Sequence, residues 1–275
     1  MKISWLTYNK KMDKVIIVSG ASSGIGKLTA KYLHEQGNKV VGLSRSYPKD
    51  EYKYDYILCD LSNSESVDNA VKEIQTKYNK LDVLINCAGI GISGAVEYTT
   101  LEEANKIFQV NVIGQFNLTK QLIPLLRKSN RSKIINIGSV AGELTIPFQT
   151  FYSMTKASMH KFTEGLRMEL KPFNIGVSTV LPGDTKTGFT DNRYQPQVME
   201  DDLYRDRIKK SINKMEHDER HGMSPMSVVK VINKLIKRKR MPIHVTVGFS
   251  YKFLVFLGKI LPKRLVNWIL SKMYA

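Results

Sequence analysis

Cysteine is scarce in this chain: Cys59 and Cys87 stand far apart, with no paired spacing. That excludes a disulfide framework and a cysteine-built zinc site. The five histidines are scattered and form no ligand cluster, so no metal centre is expected. Long apolar runs are missing too. The opening "MKISWLTYNKKMDK" has no stretch suited to a signal peptide, and "FLVFLG" at 253–258 falls far short of a membrane span. These absences suit an intracellular protein of a reducing compartment, and a cytoplasmic location is expected. A further absence is local. After Glu219 there is no Asp or Glu, although twelve Lys and Arg follow. Most of the formal net charge of +17 therefore lies at the C-terminal end. Such an end suits anionic lipid, nucleic acid or an acidic substrate, and equally a solvated lysine-rich surface. No recognition helix and no groove of interleaved aromatic and basic residues stands out, so nucleic acid is not an expected partner.

What is present is a regular alternation. With 275 residues, 42% hydrophobic and 24% charged, the chain can bury a full core as one large domain. Short β-branched runs occur at 15–19, 39–43, 56–59, 83–86, 133–138, 176–181 and 243–247. Stretches with helical spacing fill 24–37, 64–78, 101–128, 150–171 and 225–239. Several of the strand candidates are apolar throughout, as in a parallel sheet with helices on both faces. The pattern predicts a single α/β domain: a doubly wound, mainly parallel seven-stranded sheet of Rossmann type, with a C-terminal helical extension. Its expected bounds are 14–248, after an N-terminal extension at 1–13 and before a basic amphipathic extension at 249–275. Residues 188–223 break the rhythm with a polar, mixed-charge stretch just after a strand, where substrate lids are built.

Three stretches carry chemistry. The first is "SGASSGIGK", which follows the first strand and opens a helix. Gly20, Gly24 and Gly26 permit a tight turn and close approach to a pyrophosphate seated on the helix N-terminus, with Ser22, Ser23 and Ile25 between them. The spacing G-x-x-x-G-x-G departs from the G-x-G-x-x-G fingerprint. The second is "GLSRS" at the end of the next strand. A site for NAD places a carboxylate there; this chain has Ser44 and Arg45, which would accept a 2′-phosphate, so NADP(H) is the expected cofactor. The third is "YSMTK". On a helix Tyr152 and Lys156 share one face, where a cation would favour the phenolate and lower a pKa normally about 10.

With these in order the chain resembles the short-chain dehydrogenase/reductase family, in its branch of roughly 250 residues. The resemblance covers 14–248 and rests on "GASSGIG", "CDLS", "NCAG", "VNVIG", "IINIGSVAG", "YSMTK" and "LPGDTKT" in register. It implies a catalytic set of Asn111, Ser139, Tyr152 and Lys156. Tyr152 would pass a proton to or from the substrate oxygen, and Lys156 would depress the Tyr152 pKa and hold the nicotinamide ribose. Ser139 would donate to the substrate oxygen as charge develops on it. Asn111, a poor helix former inside a helical stretch, would mark a kink that holds a water. The resemblance also implies that Asp60 and Leu61 meet the adenine, and that Asn86, Ala88 and Gly89 line the cofactor. Pro182, Gly183, Thr185 and Thr187 would wrap the nicotinamide and pyrophosphate. Two small residues depart from the family pattern: Ser19 where threonine is common, and Gly138 where a second serine often precedes the catalytic one.

The expected activity is hydride transfer between NADP(H) and a carbonyl or secondary alcohol, in the direction of ketone or aldehyde reduction, on an apolar substrate. The alternatives are NAD-dependent alcohol oxidation, or a catalytically idle scaffold whose basic tail binds a membrane. Of the 27 residues at 249–275, sixteen are large apolar or aromatic and five are basic. Pro262 divides them into two helices. They would cover an apolar pocket, join subunits of a dimer or tetramer, or lie peripherally on an anionic membrane. A pocket cap or a subunit interface is the favoured expectation.

Overall fold

A computed structural model describes residues 13–49, 52–194 and 203–274; all but the last residue of the expected N-terminal extension lie outside them. The apolar runs form strands β1 (Val15–Ser19), β2 (Lys39–Ser44), β3 (Asp55–Leu58), β4 (Val83–Asn86), β5 (Lys133–Ile137), β6 (Gly176–Leu181) and β7 (His244–Thr246). Between and after them come helices α1 (Gly24–Glu35), α2 (Ser64–Lys77), α3 (Leu101–Phe108), α4 (Gly114–Arg127) and α5 (Thr150–Leu170). They are followed by α6 (Arg205–Arg220), α7 (Pro225–Lys237), α8 (Phe249–Ile260) and α9 (Lys263–Tyr274).

The seven strands make one sheet in the order β3-β2-β1-β4-β5-β6-β7, every pair parallel. Alternate side chains of each strand feed opposite layers, because the strand period is two. Ile17, Leu84, Ile134 and Val177 pack with α2, α4 and α5 side chains such as Val71, Leu122 and Leu166. Their neighbours Ile16, Ile85 and Ile135 pack on the other face with Leu33 of α1 and Ile232 of α7. Each such fully buried side chain contributes about 1.5–3 kcal/mol. Strand order reverses between β1 and β4, which opens a crevice at the carboxyl ends of the strands.

Three features differ from the sequence expectation or lie beyond it. The single helix expected over 101–128 is broken by a π-helical turn at Gln109–Ile113, with Asn111 fully buried inside it. The polar stretch 188–223 contains a full helix, α6, which buries only Ile208, Ser211 and Met215 and so shows little apolar periodicity. Lys133, at the start of β5, is buried and donates to three carbonyls at the end of α7: Leu235 (2.9 Å), Ile236 (2.5 Å) and Arg238 (2.7 Å). These are the unpaired carbonyls of a helix C-terminus, where a cation is favoured. The tail forms two helices on either side of Pro262, with α8 beside β7 and α9 against α6. No helix among the described residues is long and apolar enough to cross a membrane.

Candidate active site

The crevice is a cavity of about 910 Å³ that runs from the turn after β1 to the inner faces of α8 and α9. At one end lies the glycine turn. Gly20 has φ +70°, and a Cβ there would meet Ala88 Cα at 2.7 Å; at Gly26 it would meet the Gly20 carbonyl oxygen at 2.2 Å. A side chain at either position would collide with neighbouring backbone, so the tight turn that opens α1 and bares its N-terminus requires glycine there. Ser22, Ser23, Gly24 and Ile25 line the same end. Ser19 Oγ accepts from the backbone N–H of Cys87 (3.0 Å) and of Ala88 (3.2 Å), so the small hydroxyl at this position ties the ends of β1 and β4 together.

Ser44, Arg45, Asp60, Leu61, Ala88 and Gly89 also line the cavity, together with Tyr47 and Lys49, which sequence reasoning did not single out. Asp60 Oδ1 is engaged by Ser62, whose N–H and Oγ donate at 2.9 and 2.7 Å. Pro182, Gly183, Thr185 and Thr187 form the facing wall, and Thr187 lies opposite Gly24. Asn86 is the correction: it does not line the cavity. Its amide points between β5 and α4, donating to Asn136 Oδ1 and Thr119 Oγ1, both at 2.8 Å. It is a buried strut of the sheet.

The four candidate catalytic residues converge from three elements. Ser139 follows β5 and opens a short 3-10 turn, where its Oγ accepts from Ala141 N at 3.1 Å. Its hydroxyl acts on the Tyr152 phenol, drawing that group's pKa down, and α5 presents the phenol to the cavity. Lys156, one turn on, is buried, and its Nζ donates to the Ile137 carbonyl at 3.0 Å. Asn111 does not line the cavity. It accepts from Ile90 N (2.8 Å) and donates to the Ile90 carbonyl (2.9 Å) and Thr155 Oγ1 (3.2 Å), joining the loop after β4 to α5. The expected kink is therefore present as the π turn, which turns this amide inward.

Electrostatics overturn one expectation. Lys156 does not depress the Tyr152 pKa here. Burial pushes the phenol up to about 12, against the weaker downward pull of the Ser139 hydroxyl and the Arg193 guanidinium. Lys156 Nζ lies 5.6 Å from the tyrosine ring centroid, and burial brings its own pKa down to about 8. The phenol therefore keeps its proton at neutral pH, and the Ser139 hydroxyl draws its pKa back toward the working range.

Sequence reasoning placed the far end of the cleft in 188–223 and the tail but named none of its residues. Phe189 sits 5.6 Å from the Tyr152 ring, and Asp184 and Glu219 also face the cavity. Glu219 is paired with the buried Arg193 and accepts from Thr190 Oγ1 at 2.6 Å, fastening the segment after β6 to α6. From the tail, the Tyr251 ring covers Gly183, and its hydroxyl donates to Asp184 Oδ2 at 2.6 Å. Leu257, Leu261, Val266 and Leu270 complete an apolar wall with Leu144 and Ile146. Their only signal in sequence was the density of apolar groups after residue 249.

A parallel sheet with a glycine turn at its switch point, and a serine, tyrosine and lysine beside it, defines a nicotinamide-dependent oxidoreductase. The family model for short chain dehydrogenases matches residues 14–197, and the chain belongs to that family. It is 39% identical over 264 residues to a 3-ketodihydrosphingosine reductase of Bacteroides thetaiotaomicron, covering 95% of this chain and 98% of the relative. It is 31% identical to a probable short-chain type dehydrogenase/reductase of Helicobacter pylori, over 90% and 92% of the two chains. Among solved structures, a short-chain dehydrogenase from Streptomyces avermitilis superposes with a TM-score of 0.80 at 26% identity, covering 95% of this chain and 96% of the other.

Proposed function

We propose that this enzyme uses NADPH to reduce the ketone of a long-chain substrate bearing an amino group near the carbonyl. The observation that carries the reading is the two-ended cavity. Arg45 and the glycine turn occupy one end, the apolar wall from the tail occupies the other, and Tyr152 stands between them. Arg45 supplies a guanidinium where a carboxylate would repel a 2′-phosphate, with Lys49 also on the lining. Asp184, whose carboxylate faces the cavity, supplies negative charge near the reacting carbonyl, which suits an adjacent ammonium. The relative named for 3-ketodihydrosphingosine reduction supports this substrate class.

Within this reading, the glycine turn and Pro182, Gly183, Thr185 and Thr187 would hold a nicotinamide dinucleotide, which would supply the hydride. Ser139 donates to the carbonyl oxygen and strengthens that hydrogen bond as negative charge grows there. Tyr152 then gives its phenolic proton to the same oxygen, and its raised pKa keeps that proton in place at neutral pH. Lys156, its Nζ anchored on the Ile137 carbonyl, would hold the nicotinamide ribose, while Asn111 fixes the loop after β4. The setting is cytoplasmic, where NADP pools favour reduction.

The test is loss of NADPH absorbance with a homologous series of 2-amino-3-ketones of increasing alkyl length. The expected result is a kcat/KM that rises with chain length and is far higher with NADPH than with NADH. A preference for short polar carbonyls, or for NADH, would overturn the reading.

A further inference from the structure

The tail has two faces, and the active site uses only one. On α8 the inward positions Tyr251, Val255 and Gly258 are covered, whereas Phe249, Phe253, Phe256 and Ile260 recur at i, i+4, i+7 and i+11 along the opposite side. These four are 88, 56, 57 and 59% exposed. On α9 the exposed side carries Leu265 and Trp268, with Trp268 at 59%. Nine of the 21 large apolar side chains exposed among the described residues fall in these two short helices. A face this apolar and aromatic is not ordinary surface.

Its charge says what covers it. Lys252 and Lys259 flank the α8 stripe, and Lys263, Arg264 and Lys272 belong to α9; all are exposed. The two helices carry no acidic residue. A second copy of the chain docked face to face would set these cations against their own equivalents, because a twofold contact joins the same patch on both subunits. An anionic bilayer complements both features, taking aromatic and aliphatic groups at the acyl boundary and lysine ammoniums at the headgroups. We infer that the outer face of α8 and α9 is a peripheral membrane-docking surface for anionic lipid.

The position of the cavity gives docking a use. Leu254, Ile269 and Met273 line the cavity and are also exposed, so the cavity opens beside this face. A lipid-like ketone would pass from the bilayer to Tyr152 with little exposure of its chain to water. This last step rests on the proposed substrate class, whereas the docking surface does not.

The test is co-sedimentation of the full chain with vesicles of phosphatidylglycerol mixed with phosphatidylcholine, with pure phosphatidylcholine vesicles as control. The intact protein is expected to pellet with the anionic vesicles alone, and raising salt from about 0.1 to about 0.5 M should release it. A Phe253→Glu/Phe256→Glu variant should lose about tenfold or more of its vesicle binding. Lys252→Gln/Lys259→Gln should lower it by a factor of about 30 on anionic vesicles. None of these four side chains lines the cavity, so NADPH binding and turnover of a water-soluble ketone should stay unchanged in both variants. Those readouts also separate failure of docking from failure of the proposed reaction. Absence of the intact protein from the anionic pellet, or binding unaffected by the phenylalanine changes, would overturn the inference. So would a dimer in solution that Phe253→Glu/Phe256→Glu dissociates, which would make this face a contact between copies.

Discussion

The two ends of the cleft are built from different materials. The cofactor end consists of strand ends and tight turns whose backbones touch, so that Gly20, Gly26 and the loop at Ala88 leave no room for added atoms. The far end is made of helices α6, α8 and α9, held by a few side-chain ties such as Arg193–Glu219 and Tyr251–Asp184. Backbone geometry fixed by a parallel sheet tolerates little change, and it holds the reaction constant. Helix faces can exchange one apolar side chain for another at small cost, so substrate choice is located there.

The sharpest way to separate the two ends is to remove a single oxygen between them. Tyr152→Phe should lower kcat by about 10²–10⁴-fold while NADPH binding, followed by nicotinamide fluorescence, is unchanged. Retention of more than about a tenth of the wild-type rate would place the proton donor elsewhere. Next in size is the tie at the far end. Glu219→Ala leaves the buried Arg193 cation uncompensated and should cost about 3–5 kcal/mol. Calorimetry would measure that loss, and limited proteolysis would show whether cleavage concentrates in 188–223. Cleavage spread evenly along the chain would mean the two ends unfold as one unit. At the cofactor end, Arg45→Ala should weaken NADPH binding by about 1.5–3 kcal/mol and leave NADH nearly unaffected. Equal losses for both would remove the 2′-phosphate role.

The smallest effect concerns protons. Burial lowers the Lys156 pKa from 10.5 to about 8, so its charge is lost as pH rises through about 8. Reduction should slow over that range as the ammonium that would hold the nicotinamide ribose is lost. Stability should move the other way. The unfolded chain keeps its proton on this lysine up to about 10.5, so between about 8 and 10.5 it binds more protons than the folded state, and stability rises with pH. Comparing thermal midpoints of the ligand-free wild type and Lys156→Met across that window isolates this contribution. Parallel curves for the two proteins would show that Lys156 does not titrate there.

Legibility in the sequence followed the same division. The strands could be read to within a residue or two because runs such as "VIIVS" are apolar on both faces, which a sheet covered on both sides demands. Tyr152, Lys156 and Ser139 were legible from spacing and order. Asn86 was misassigned because sequence does not show which side of a strand end faces the ligand; the pleat turns its amide toward Asn136 and Thr119. The apolar pattern over 101–128 did not show the π turn, because one extra residue in a helix leaves it nearly continuous; the kink at Asn111 was expected from the resemblance alone. Helix α6 was hidden by its polarity. The raised Tyr152 pKa depends on desolvation by residues distant in sequence, which a local pair of side chains cannot reveal.

The fastening of Lys133 bears on how the chain comes into being. Its ammonium takes its three acceptors from Leu235, Ile236 and Arg238, about a hundred residues later. Strand β7, at one edge of the sheet, is later still. During synthesis the first five strands leave the ribosome well before those carbonyls exist, so β5 cannot sink its lysine until α7 has emerged. A nascent chain halted in between carries a cation where the core should close, together with an unpaired strand edge at β6. Completion of this sheet is thus a late event in translation.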